Sequence, residues 1–208
     1  MEESKIKLSP DGKTVYEVYD VDNLVIPEGV TKIDKCAATQ RTIVNVEIPD
    51  SVEEIGKEAF RICRDLQSVT IGAGVKKMGN EAFAGCNKLK TVTIREGAKV
   101  VGADAFTRCE ALENISLPST LTKIGTFAFS RCTALTSIVI PAKVKTLGEL
   151  AFSGCSALKS VTILSGAVTG ETFLMAINNC PVEVVRIPAA FVDKFKETFT
   201  ADISIETI

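Results

Sequence analysis

Five cysteines recur every 23 residues along the chain, and they are the first residues to consider for chemistry. They are Cys63, Cys86, Cys109, Cys132 and Cys155, and each is preceded by an Ala-Phe pair and two variable residues. Zinc sites use paired C-x-x-C spacing or histidine, and the sequence contains neither. We therefore interpret these residues as a ladder of buried, reduced thiols that fills a small apolar slot.

Disulfides between neighbours in this cysteine ladder are disfavoured by the direction of the side chains and not by the distance between them. Strands stacked in register bring neighbouring Cα atoms to about 5 Å, which lies within disulfide range. Every Cβ, however, is expected to point the same way along the radius of the coil. Cys180 falls outside the period and is expected to be more exposed, whereas the environment of Cys36 stays open.

Histidine is absent, which removes the usual general base and the commonest metal ligand. Catalytic sites of the Ser-His-Asp and Cys-His types are therefore impossible. The acidic pairs Glu2-Glu3 and Glu53-Glu54 fit solvated tails or turns, and no P-loop motif occurs. The sequence predicts no catalytic residues, no metal and no cofactor, and an enzyme is kept only as a remote alternative.

The fixed period indicates a solenoid, in which one supersecondary unit is stacked many times. Alternating apolar and polar residues predict parallel strands in one continuous sheet, at 46–48, 69–71, 92–94, 115–117, 138–140 and 161–163. An Ile-Gly pair or its equivalent follows each strand, and its glycine is expected to take a backbone angle that other residues resist. The Ala-Phe segment is then expected to form a single helical or 3-10 turn.

Both ends of the chain break the period and are predicted to be caps. Residues 1–23 contain the turn signal Pro10-Asp11-Gly12, which predicts a hairpin that covers the first coil. Residues 24–163 contain the repeats, and residues 164–208 form an irregular last repeat and a C-terminal cap. That last region is expected to contain a helix over Glu171–Ile177, an amphipathic helix over Phe191–Phe199 and a strand over Ile203–Ile208.

The outward positions of the predicted strands are rich in hydroxyl groups. Half of these positions hold Ser or Thr, and the candidate ligand-binding residues are Ser68, Thr70, Thr91, Thr93, Asn114, Ser116, Ser137, Ser160 and Thr162. Two interpretations stay open: Ser and Thr simply tolerate an exposed strand, or they form a surface that hydrogen-bonds a protein or a glycan. An ice-binding Thr array is disfavoured because Lys90, Asn114 and Val139 interrupt it.

Composition limits the partners that the chain is expected to bind. The net charge is −2 and no basic stripe is evident, so no nucleic acid is expected as a partner. No apolar run reaches the roughly 18 residues of a membrane span, so no membrane insertion is expected. The first residues lack the apolar core of a secretion signal, which leaves either an intracellular protein or one whose signal is not in this sequence.

The full repeat, L-x-x-V-x-I-P-x-x-V-x-x-I-G-x-x-A-F-x-x-C, resembles the BspA-type leucine-rich repeat, also called the Treponema pallidum type. The pattern is clearest over Leu66–Phe83, Leu112–Phe129 and Leu135–Phe152. The resemblance implies a right-handed α/β repeat solenoid, with a parallel sheet on the concave side and short helical or 3-10 turns on the convex side. It also implies a cell-surface or secreted protein of bacteria or protists that adheres to host or matrix proteins.

The residues and the resemblance together favour a non-enzymatic, adhesin-like module that is expected to be a monomer. Its partner would be a host or matrix protein or a glycan, bound through the concave sheet. The alternative is a structural spacer that presents another domain. Alanine substitutions on the concave sheet would separate the two, because a spacer would not respond to them.

Overall fold

Short strands dominate the fold, and each coil of the regular repeat contributes two of them. The computed structural model describes residues 5–196, 198–199 and 203–208. Its strands are β1 (Ile6–Leu8), β2 (Thr14–Val18), β3 (Val21–Val25), β4 (Lys32–Ile33), β5 (Ile43–Ile48), β6 (Glu54–Ile55), β7 (Ser68–Ile71), β8 (Lys77–Met78), β9 (Thr91–Ile94), β10 (Val100–Val101), β11 (Asn114–Ser116), β12 (Lys123–Ile124), β13 (Ser137–Ile140), β14 (Thr146–Leu147), β15 (Ser160–Ile163), β16 (Val184–Ile187) and β17 (Ser204–Thr207). The helical segments are α1 (Gly170–Ala176), a 3-10 turn (Ala189–Phe191) and α2 (Asp193–Lys196).

The longer strands pair in parallel and in the predicted register. Val69 lies opposite Val92, and Ile138 lies opposite Val161, so equivalent positions of successive repeats are neighbours. The prediction of one continuous sheet is wrong, however. Strands β3, β5, β7, β9 and β11 form one sheet and β13, β15, β16 and β17 form another, with no hydrogen-bonded ladder between β11 and β13.

Proline occurs at this seam between β11 and β13 but does not explain it, because Pro118 stands at the same position after β11, which still pairs with β9. At the end of the corresponding strands, the N–H of Arg95 donates to Ile71 and the N–H of Leu164 donates to Ile140. Pro141 occupies the equivalent position at the seam and has no N–H to donate to the preceding coil. The hydrophobic core nevertheless continues through the seam as one cluster.

A further sheet, absent from the sequence prediction, joins the Ile-Gly segments. Its order is β1-β2-β4-β6-β8-β10-β12-β14, and from β4 onward each strand is only two residues long. Strands this short leave almost no alternation to detect in a sequence. The sheet gives every coil a second row of hydrogen bonds to its neighbours.

The glycine of the Ile-Gly pair is explained by close packing, which corrects the expectation of an unusual backbone angle. Gly56, Gly79, Gly102, Gly125 and Gly148 all lack the positive φ that favours glycine. A Cβ atom added to Gly102 would lie 2.6 Å from the carbonyl carbon of Gly79, in the preceding coil. The coils therefore approach each other too closely here for any side chain.

The Ala-Phe segments form consecutive turns rather than the expected helical or 3-10 turn. Positive φ angles at Glu58 (58°) and Ile62 (59°) interrupt any helix, and the pattern repeats at Asp104 and Arg108. Alternate N–H groups consequently point at the next coil, as where Phe60 donates to the carbonyl of Ala82 at 2.8 Å. The solenoid class is as predicted, and the local conformation supplies a third row of bonds between coils.

Phenylalanine rings stack through the centre of the molecule. The rings of Phe60, Phe83, Phe106, Phe129 and Phe152 have neighbouring centroids 5.1–5.5 Å apart and interplanar angles of 1–6°. All five side chains are fully buried, as are the five leucines that follow each cysteine by three residues. One repeat cannot bury this apolar face alone, so successive repeats stabilise one another.

The N-terminal end carries the expected hairpin. Strands β1 and β2 pair in antiparallel fashion, and the N–H of Val18 donates to the carbonyl of Ala37 in the first coil. Residues 1–4 of the predicted cap lie outside the described residues. The limits of the cap, repeat and terminal regions stay a prediction.

Helix α1 caps the C-terminal end of the stack of Ala-Phe turns, and it lies close to the position predicted for it. The N–H groups of Leu150, Phe152 and Gly154 donate to the carbonyls of Met175, Ala176 and Asn178. Carbonyls at a helix end have no partner within the helix, so they serve as acceptors here. The amphipathic helix predicted over Phe191–Phe199 is shorter, comprising a 3-10 turn and α2, and residue 197 lies outside the described residues. Strand β17 matches the predicted final strand.

Candidate functional site

The parallel strands place the nine predicted ligand-binding residues on one outward face. Alternation along each strand directs their side chains to solvent, while the residues between them, such as Val92 and Ile94, fill the core. Five of the nine are exposed and four are half-buried, the latter being Ser68, Thr70, Ser160 and Thr162. The predicted outward orientation is therefore present for every member of the set.

The seam divides these nine residues into two groups. The larger group forms two rows that run across the strands, and neighbours within a row lie on adjacent strands. The rows are Ser68, Thr91 and Asn114, and Thr70, Thr93 and Ser116. The smaller group, on the four-stranded sheet, contains Ser137, Ser160 and Thr162. The first group alone forms an uninterrupted lattice of hydroxyl and amide groups, which we call the polar lattice.

Two asparagines, not predicted as site residues, extend the polar lattice toward the N-terminus. The hydroxyl of Ser68 donates to Oδ1 of Asn45 at 2.6 Å, and Nδ2 of Asn45 donates to Oδ1 of Asn23 at 2.8 Å. The repeat register, which pairs Asn45 with Ser68 and Asn23 with Asn45, was the signal for them in the sequence. This chain of bonds fixes the amide orientations and leaves the hydroxyl oxygen of Ser68 available as an acceptor.

Charged residues flank the polar lattice with both signs. Lys90 and Glu113 are exposed beside its central strands, and the exposed Glu47 lies in the same row as Thr70. On the four-stranded sheet, Lys159 pairs with Glu183, and Arg186 pairs with Glu206 at 2.8 Å. The face therefore has no single sign of charge.

The cysteine ladder has the predicted burial and also makes regular hydrogen bonds. Its five side chains are fully buried, and all seven cysteines are free thiols. Each ladder thiol from Cys86 onward donates to the carbonyl of the phenylalanine 26 residues before it, as with Cys109 and Phe83 at 3.3 Å. Cys36 is exposed, which settles its environment, and Cys180 is half-buried as expected.

Burial makes the central thiols of the ladder poor nucleophiles, whereas hydrogen bonding with Cys86 lowers the pKa of Cys63 at the N-terminal end. Burial raises the pKa of Cys109 well above its ordinary value and raises the pKa of Cys132 to about 12. The thiolate is the reactive form, so these groups remain inert at neutral pH. At the C-terminal end, hydrogen bonding with Cys155 lowers the pKa of the Cys180 thiol, which is also the more accessible of the two.

The described part of the chain contains neither a candidate metal site nor a helix that could span a membrane. Within residues 5–196, 198–199 and 203–208, no three His, Cys, Asp or Glu side chains are grouped so that they could hold a metal ion. In the same part of the chain, no helix has the length and apolar character needed to cross a membrane.

The repeat pattern and the stacked coils define the class of this protein as a leucine-rich repeat solenoid. The family model for the BspA type leucine rich repeat region matches residues 12–135 and 76–206, in six copies. The chain belongs to this family, and its fold is the right-handed solenoid that the repeat predicts. No curated protein matches the chain.

Solved structures with this fold include proteins from two bacteria. A leucine-rich cell surface protein from Faecalibacterium prausnitzii is 32% identical, with a TM-score of 0.53, over 77% of this chain and 52% of the other. The Treponema pallidum leucine-rich repeat protein is 21% identical, with a TM-score of 0.56, over 99% of this chain and 97% of the other. The chain thus spans about half the length of the Faecalibacterium protein, and the Treponema protein shares the fold.

Proposed function

We propose that this chain is a non-enzymatic, adhesin-like binding module that recognises a host or matrix protein or a glycan through its concave sheet. The observation that carries the proposal is the polar lattice, in which exposed hydrogen-bonding groups recur in register over adjacent strands. Each hydroxyl can both donate and accept, so a partner rich in hydroxyl or amide groups could be matched at many points. Affinity would come from several weak contacts rather than from one pocket.

The cell surface, or the medium around the cell, is the proposed location. The support is family membership and the 32% identity to a bacterial protein described as a cell surface protein. Because the chain spans 52% of that protein, the role of the larger protein comes to this chain as part of the proposal.

A panel of immobilised matrix proteins and glycans tests the proposal. The wild-type chain is expected to bind at least one member, and Thr93→Arg/Ser116→Arg is expected to abolish that binding. Both side chains are exposed at the centre of the polar lattice, so arginine would obstruct the face without disturbing the core. Thermal stability should change little, which separates loss of binding from loss of folding.

The matched control places the same pair of arginines on the turn that follows the cysteine. Thr133 and Ser156 are exposed hydroxyl residues one coil apart, like the test pair. Thr133→Arg/Ser156→Arg should therefore bind as the wild type does. Equal loss in both variants would contradict the concave face as the binding surface, and a chain that binds no member of the panel would favour the spacer.

A further inference from the structure

Lysines in two adjacent columns along the Ile-Gly sheet form a basic surface away from the polar lattice. This lysine stripe consists of Lys76, Lys77, Lys99, Lys123 and Lys145, all of which are exposed. The N–H of Lys99 donates to the carbonyl of Lys76, and the N–H of Lys123 donates to that of Lys99, which places them in consecutive coils. Four coils at a strand spacing of about 4.8 Å make the stripe about 14 Å long.

The lysine stripe corrects the reading of the sequence, in which no basic stripe was evident. Its members are about one repeat apart in the chain, so no local run of basic residues marks them. The register of β8, β10, β12 and β14 aligns Lys77 with Lys123, and it aligns Lys76, Lys99 and Lys145 in the column one residue earlier. A protein of net charge −2 therefore presents one strongly positive surface.

The C-terminal part of the lysine stripe has free charges. Lys76 pairs with Glu53 at 2.9 Å and Lys77 pairs with Glu54 at 3.3 Å, which partly neutralises the first coil of the stripe. Among residues 5–196, Lys99, Lys123 and Lys145 form no ion pair with any carboxylate. These three ammonium groups are therefore available to a ligand.

The acidic residue nearest to Lys99 in the chain is already engaged. Glu96 accepts hydrogen bonds from the backbone N–H of Ser119 at 2.8 Å and from its hydroxyl at 2.9 Å. These bonds lower the pKa of Glu96 and orient its carboxylate toward the neighbouring turn. They leave Lys99 without an acidic partner.

A shallow recess of about 380 Å³ lies beside the lysine stripe. Lys77 and Lys123 border it, and no acidic residue lines it. Hydrogen-bonding side chains complete its walls, namely those of Asn80, Thr126 and Thr146. A volume of this order accommodates a small polar ligand or a short part of a longer one.

We propose that the lysine stripe binds a linear anionic polysaccharide, one that carries carboxylate or sulfate groups. The free ammonium groups would meet the anions, and the polar groups of the recess would hydrogen-bond the sugar hydroxyls. The recess is lined by no aromatic side chain, so an unpaired base would have nothing to stack on. This disfavours single-stranded nucleic acid as the ligand. The choice of a polysaccharide rests on the proposed surface location, where such polymers are the common polyanions.

Dextran sulfate and uncharged dextran of the same length are suitable probes. The wild-type chain should bind dextran sulfate and ignore dextran, and added salt should weaken the binding steeply. Lys99→Gln/Lys123→Gln should bind about thirtyfold more weakly, as expected when two cations are removed from contact with an anionic surface. The control Lys5→Gln/Lys35→Gln makes the same charge change at exposed lysines outside the stripe and should bind nearly as the wild type does.

A second pair of variants should strengthen binding. Glu53→Gln/Glu54→Gln releases Lys76 and Lys77 from their ion pairs, so two more cations reach the ligand. The control Glu28→Gln/Glu113→Gln removes two exposed acidic charges elsewhere and should have a much smaller effect. A selective gain would support a local site rather than a response to net charge.

Three results would overturn the proposal. They are absence of binding to dextran sulfate, equal losses in the stripe variant and its lysine control, and tighter binding to duplex DNA or anionic vesicles of matched charge. Thr93→Arg/Ser116→Arg should show no loss of binding to dextran sulfate. Failure at the lysine stripe is thereby distinguishable from failure at the concave sheet.

Discussion

Each ladder cysteine contributes a hydrogen-bond donor as well as volume. The carbonyl of Phe83 receives the N–H of Cys86 at the long distance of 3.4 Å and the thiol of Cys109 at 3.3 Å. A buried carbonyl that loses its partner costs roughly 1–3 kcal/mol. This explains why a thiol, rather than the methyl group of alanine, recurs at a position that is otherwise apolar.

Thiol reactivity tests this arrangement residue by residue. In native protein, a thiol reagent should modify two groups, Cys36 and Cys180, and all seven should react after denaturation. Cys36→Ser/Cys180→Ser should leave no rapidly reacting thiol in the native state. Rapid labelling of Cys109 in folded protein would show that the ladder is open to solvent.

The same burial makes stability depend on pH. The pKa of Cys132 is raised to about 12 in the folded state, whereas an unfolded thiol loses its proton near pH 8.5. Above that pH the unfolded chain binds fewer protons than the folded one, so the free energy of unfolding falls as pH rises. Denaturant titrations at neutral and alkaline pH should record this loss.

The phenylalanine stack should be sensitive to a single truncation. Phe106 lies between Phe83 and Phe129, with ring centroids 5.3 and 5.4 Å away. Phe106→Ala should lower the free energy of unfolding by about 3–5 kcal/mol, because the closely packed coils cannot collapse around the cavity. Phe127→Ala is the control, since Phe127 is 37% exposed, and a similar loss in both variants would contradict the stacked core.

At the scale of the element, the Ile-Gly turn depends on the absence of a side chain. Gly102→Ala places a Cβ within 2.7 Å of the carbonyl oxygen of Gly79, and backbone cannot move aside as a flexible side chain can. We expect a loss of about 3 kcal/mol, at the upper end for overpacking, measured by chemical denaturation.

Gly154→Ala is the matched control for this glycine prediction. Gly154 has a φ of +71°, and a Cβ added there would make only an ordinary contact, 3.5 Å from Cγ of Arg131; Arg108 and Arg131 adopt similar angles at the equivalent position. Its substitution should cost only about 1 kcal/mol. If it cost more than Gly102→Ala, backbone angle rather than close packing would govern the stability of these turns.

The sequence predicts the long strands because Val, Ile and Leu alternate with polar residues, and it predicts the core because Phe, Cys and Leu recur in phase. It does not reveal β8 or β10, since two residues carry no periodicity. The turns at Glu58 and Asp104 were also missed, because their positive φ angles occur at residues that rarely adopt them. The repeat register is enough to predict which residues form the polar lattice. It does not predict the seam after Ser116, which depends on whether two particular coils hydrogen-bond to each other.

At the scale of the whole molecule, charge distribution separates the two surfaces. The concave sheet carries exposed residues of both signs, such as Lys90, Glu113 and Glu47, whereas the unpaired lysines of the stripe are all positive. Binding through the concave sheet should therefore depend weakly on salt, because screening acts on charge rather than on hydrogen bonds between neutral groups. Titrations of a panel partner at low and high salt should differ little, and a steep decline would indicate that charge steers the interaction.

Photo-crosslinking tests the central claim, that the concave sheet is the binding surface, most directly. A photoreactive amino acid placed at Lys90 lies on the sheet beside Thr91, and one placed at Thr133 lies on the turn after Cys132; both positions are exposed. After illumination with a panel partner, we expect a covalent adduct from position 90 and none from position 133. An adduct from position 133 without one from position 90 would contradict that claim.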